Sequence, residues 1–145
     1  MKKNSEIYFR FREFAKNILL AQVASDSGKL IFNRSASNVE NAVRENYFIK
    51  SQYIHQAISH AKRLPNKLVK VGISKDEKGV PIVLFDIKGY GQVSFHLPEL
   101  DYNNPKYDRY RERVSWNGIK SSSVRTCEKL ARKLQLPYYR KKRRP

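Results

Sequence analysis

The sequence has a single cysteine and no apolar run approaching the roughly 18 residues of a membrane-spanning helix. It is also short of acid: 13 Asp and Glu stand against 30 Lys and Arg, a net charge of +17 over 145 residues. Each shortage excludes something. Cys127 alone cannot form an internal disulfide framework and fits a reducing compartment. Without a long apolar run, an integral membrane protein is not expected. Met1-Lys2-Lys3 leads into charged residues rather than an apolar core with a small-residue cleavage site, so no secretory leader is read and a cytoplasmic location is expected. What is present is 40% hydrophobic and 12% aromatic residues, too apolar for a wholly disordered basic chain. The length suits one domain with a core of its own.

The charge is uneven. Residues 1–104 carry a net +6, whereas residues 105–145 carry 14 Lys and Arg against three acids, a net +11. That C-terminal part contains Arg109, Arg111, Arg113, Lys120, Arg125, Lys129, Arg132 and Lys133, then Tyr138-Tyr139-Arg140-Lys141-Lys142-Arg143-Arg144. Five consecutive cations repel one another, so residues 138–145 read as an extended tail on a domain spanning 1–137. Dense cations displace condensed counterions from phosphates, and tyrosines beside them can stack on unpaired bases. These fifteen residues are the candidate nucleic-acid contacts. The tyrosines that follow Pro137 are expected to be exposed.

The hydrophobic pattern predicts an α+β chain: N-terminal helices, a three-stranded antiparallel β-meander, a C-terminal helix and the basic tail. Ile7, Phe11, Phe14, Ile18 and Ala21 recur at helical spacing, predicting a helix from Ser5 to about Val23. Ser25-Asp26-Ser27-Gly28 supplies turn chemistry to end it, leaving Lys29-Leu30-Ile31-Phe32 as a short strand or a buried connector. Ser37 and Glu40 match a capping box for a helix that Pro65 stops after Leu64. The pattern allows either one helix there or two, with Ser51 starting the second after a break near Phe48. Leu68 to Ile73, Val80 to Lys88 and Gln92 to Leu97 read as strands, with Gly79 and Gly89-Tyr90-Gly91 in the turns. From Asp101 to Asn117 only Tyr102, Tyr107, Tyr110 and Trp116 could pin the chain to the body. A last helix carries Val124, Cys127, Leu130, Ala131 and Leu134, with caps among Ser121 to Ser123 and a stop at Pro137.

Catalytic and metal chemistry find little support. His55, His60 and His96 with one cysteine show no zinc-ligand spacing, and His55 and His60 lie about 140° apart on an ideal helix. No metal site and no cofactor are expected. Cys127 falls on an apolar stripe, where a thiol is inert packing. Asp86-Ile87-Lys88 resembles the Asp/Glu-x-Lys element of restriction-endonuclease-like nucleases, in which a carboxylate holds Mg²⁺ and a lysine orients water. That family also requires an earlier acid, usually in Pro-Asp, where this chain has Pro65-Asn66. Asp76 is the remaining substitute. The stretch Gly89-Tyr90-Gly91-Gln92-Val93-Ser94-Phe95-His96, in a chain of this size and charge, resembles the small basic proteins of phages and mobile elements. The resemblance implies a bacterial host cell and raises an anti-CRISPR role: binding an RNA-guided nuclease effector or its guide RNA. The sequence thus yields a non-enzymatic nucleic-acid binder as first reading, with a protein-directed inhibitor and an Mg²⁺-dependent nuclease at Asp86 and Lys88 as alternatives.

Overall fold

A computed structural model describes residues 2–32, 39–111 and 123–138. The fold is α+β: helices α1 (Lys2–Phe32) and α2 (Val39–Lys62), strands β1 (Val69–Lys75), β2 (Pro81–Ile87) and β3 (Gly91–His96), a 3₁₀ segment (Pro105–Tyr110), and helix α3 (Ser123–Leu134).

Helix α1 does not stop at the serine-glycine cluster. It continues through residues 25–32, so the expected turn and the strand or connector after it are both helical. Turn residues cost helix stability one by one, but packing overrides so small a preference. Ala24 is buried, and Gln22 donates to the Asp26 carboxylate one turn on, at 3.3 Å. On an ideal helix the buried residues of α1, from Phe11 to Ala24, occupy an arc of about 220°. Such a width means the helix is covered from several sides rather than lying on one.

Helix α2 is one helix, running antiparallel to α1 with Arg10 Nη1 3.4 Å from His60 Nδ1. Ser51 begins no second helix. It is buried and, with Tyr47 and His55 one turn to either side, grips Glu99 in the chain leaving β3. The Ser51 hydroxyl donates to the Glu99 carboxylate, and His55 Nε2 lies 3.5 Å from it. The Glu99 N–H donates to the Tyr47 oxygen at 3.3 Å.

The sheet is a meander in the order β1-β2-β3. Its register sets Val71 beside Phe85 and Phe85 beside Val93, with Ile73, Val83 and Phe95 in the next rank. Alternation puts these on one face, against the helices. Phe14 of α1 meets Phe85 edge-on at 5.5 Å between ring centres, and Phe85 meets Phe95 at 6.3 Å. In the first turn Asp76 Oδ1 accepts from Val80 N–H and Lys78 N–H, both at 2.8 Å, while Oδ2 lies 3.4 Å from His96 Nε2. These donors, Val80 first, hold the Asp76 carboxyl below the ordinary carboxylate range.

Both sheet edges have neighbours. The 3₁₀ segment packs on β1, its Tyr107 and Tyr110 buried in the core as the sequence suggested. Helix α3 packs on β3, where Ser123 Oγ accepts from Ser94 N–H at 3.2 Å. The helix ends in a left-handed Gln135 (φ 54°), with Leu136 N–H donating to Ala131 C=O at 2.9 Å. This six-residue closure satisfies an end carbonyl and buries Leu136 beside Ala131. Tyr138, expected at the head of an exposed tail, is instead half-buried against the core.

Gly91 has φ +127°, and a Cβ there would lie 2.6 Å from Thr126 Oγ1 of α3. Gly91→Ala is therefore expected to lower unfolding free energy by about 1–3 kcal/mol in urea titration. Asp76→Ala is expected to destabilise the protein at pH 7. The difference from wild type should shrink in acid, because a depressed carboxyl stabilises above its unfolded pKa and loses that contribution as pH falls through its folded one.

Candidate nucleic-acid interface

Helix α3 sorts its residues cleanly. Thr126, Cys127, Leu130, Ala131 and Leu134 are buried, and the opposite side presents Arg125, Lys129, Arg132 and Lys133. Four cations thus share one helix side over about 12 Å. Glu128 lies on the flank of this stripe and is exposed. Arg132 and Lys133 stand in the last turn, where they oppose the negative end of the helix dipole. Arg12 of α1 reaches the same end and donates to the Leu134 carbonyl. A sequence scan confined to the C-terminal residues misses that contribution.

Two tyrosines flank the stripe. Lys129 Nζ sits 5.9 Å from the ring centre of Tyr90, whose other neighbour is Phe11 at 5.7 Å. Tyr90 ionises above the ordinary tyrosine range, chiefly through burial and secondarily through the nearby Tyr8. Tyr8 itself is 54% exposed. The sequence carried signals for both: Tyr90 stands between glycines in a turn, and Tyr8 lies off the apolar stripe of α1.

Arg109 and Arg111 are not part of this surface. The 3₁₀ segment with Arg109 and Arg111 lies along β1, at the opposite edge of the sheet from α3, with strand axes about 10 Å apart across the sheet. Arg111 is occupied there: Nε donates to Tyr102 C=O at 2.8 Å, Nη2 to Asn104 C=O at 2.9 Å and Nη1 to the Asp108 carboxylate. It ties its own loop together. Arg109 is exposed, donates to the Tyr110 hydroxyl at 2.8 Å and, with Lys62, covers the Tyr110 ring. Lys62, Asn66, Arg109 and Tyr110 line an open cleft of ≈ 520 Å³. Arg113, Lys120, Tyr139, Arg140, Lys141, Lys142, Arg143 and Arg144 lie outside the described residues.

The nuclease-like element does not assemble a site among the described residues. Asp86 is half-buried on the sheet face away from the core, and Lys88 is exposed in the following turn, with no ion pair between them. Asp86 pairs with Lys70, whereas Asp76 follows the far end of β1, about 20 Å away at strand rise. Asp76 therefore cannot share a metal with Asp86. No group of three or more metal-ligating side chains occurs among the described residues. The histidines are engaged separately: His55 with Glu99, His96 with Asp76, His60 with Arg10. Burial, then the Arg10 charge, holds His60 below the ordinary histidine range.

Cys127 is fully buried. Burial first, then Asp26 and Glu128, pushes its thiol up to about 12, against a contrary hydrogen bond from the Tyr138 side chain. A thiol so raised is a poor nucleophile.

The chain matches no protein-family model, no curated protein and no solved structure.

Native protein at pH 8 is expected to resist iodoacetamide at Cys127 and to react stoichiometrically once unfolded in urea, read by mass spectrometry. Stability should decline as pH rises past the ordinary thiol range of about 8.5, because the unfolded thiol ionises while the folded one stays protonated.

Proposed function

We propose that this chain is a non-enzymatic nucleic-acid-binding protein that contacts phosphates through its C-terminal basic region. The observation that carries this reading is the outward side of α3, where Arg125, Lys129, Arg132 and Lys133 stand together on a helix whose other side is locked into the core. Side chains rooted on a packed helix lose less freedom on contact than the same cations on a loose segment. Arg12 joins them from α1. The net +11 of residues 105–145 adds a long-range field that steers polyanions toward the chain. The ligand is RNA or DNA, free or held in a larger complex such as an RNA-guided effector. A protein-directed inhibitor is the second reading, favoured by the exposed apolar side chains Leu20, Phe48 and Ile49 on the helical hairpin. Binding to an effector that survives nuclease treatment would favour it.

The test is salt dependence. Four phosphate contacts predict a log–log slope near −4 on duplex and near −3 on single strands, about two decades of affinity between 50 and 200 mM salt. The triple variant Arg125→Gln, Lys129→Gln, Arg132→Gln should keep its circular dichroism spectrum and flatten the slope by about 2–3. A wild-type slope near zero would refute the reading.

A further inference from the structure

The amino-terminal part of α1 carries an exposed run that the core does not use. Ile7, Tyr8 and Phe9 are 37%, 54% and 64% exposed, and successive residues on a helix point about 100° apart. Tyr8 stands one turn before Arg12, on the face that reaches α3 at Leu134, and near Tyr90, over whose ring Lys129 sits. Phe9, turned about 100° from it, lines with Arg10 and Arg63 an open cleft of ≈ 400 Å³ that also contains Glu6. Two freely accessible rings thus stand on one helix end, each beside cations. Burying such rings in the core would have been favourable by a few kcal/mol. Their placement is explained when a ligand supplies the missing contact.

We propose that the ligand is single-stranded nucleic acid, with unpaired bases stacked on Tyr8 and Phe9 while the cations of α3, Arg12 and Arg63 hold the phosphates on either side. This rests on the reading of α3 as a phosphate-binding surface. Duplex cannot use the rings, because its bases are already stacked. A purely electrostatic surface favours duplex, which carries the denser charge. Preference for single strands is therefore the mark of stacking, and each stacked base supports about 5- to 150-fold in affinity.

Fluorescence anisotropy with labelled 12-nucleotide strands of DNA and of RNA, their duplexes, and an abasic strand of equal charge decides the matter. At 0.15 M salt one or both single strands should bind at least tenfold tighter than duplex or abasic strand, and the two single-strand arms distinguish RNA from DNA. The double variant Tyr8→Ala, Phe9→Ala should lose that advantage, keep abasic binding and melt at the wild-type temperature, whereas Tyr8→Phe should retain it. Equal binding to duplex or abasic strand, or an unchanged double variant, would overturn stacking. If salt-sensitive binding then persists and weakens in the α3 triple variant, the phosphate-contact reading stands without it. If none of the strands binds at any salt, both fall.

Discussion

The burial of α1 is the constraint on which the remaining elements depend. A helix covered over more than half its circumference must be met by neighbours on several sides, and here they are α2, the sheet and α3. Phe14 sets its ring against Phe85 at the centre of the sheet. Arg10 meets α2 at His60, and Arg12 meets α3 at Leu134. The two arginines, two residues apart, diverge around the helix toward different neighbours. Removing any one neighbour would leave part of α1's apolar surface in water, so the three contacts stand or fall together.

The same arrangement lets so basic a chain fold. A charge of +17 repels itself, and that cost is lowest when cations lie on outer surfaces, far apart and screened by water. The structure separates them at the sheet edges, α3 along β3 and the 3₁₀ segment along β1. Some charges are turned inward to structural tasks. Arg111 spends its guanidinium on two carbonyls and Asp108, and Lys62 and Arg109 rest on Tyr110. Cations with full hydrogen-bond partners have little to offer a phosphate, so the number of positive charges overstates the size of any binding surface.

Much of the fold was legible in the residues. The meander, its glycine turns, the alternation that buries Val71, Phe85 and Val93, and the apolar stripe of α3 all follow from local pattern. The extent of α1 was not. Serine and glycine favour turns by amounts of about 1 kcal/mol, and packing around Gln22 and Ala24 outweighed them. The number of helices around Ser51 stayed open for a related reason: a residue suited to capping a helix can equally serve inside one when a carboxylate from a distant loop arrives. Tyr138 resembled a tail residue because proximity to the basic run was visible, whereas its packing against the core beside Cys127 was not.

For the candidate surface, the sequence alone determined its sign and its broad location, because charge and helical period are local properties. Helical period sets Arg125, Lys129, Arg132 and Lys133 opposite the apolar stripe of Cys127, Leu130 and Leu134. Which cations act together was decided only by tertiary structure. Helix α1 delivers Arg12 and Tyr8 to α3 from more than a hundred residues away, while the sheet holds Arg109 and Arg111, close in sequence, at the opposite edge. Contact between distant segments depends on how helices and strands pack, and the net +17 with which the sequence began carries no information about that geometry.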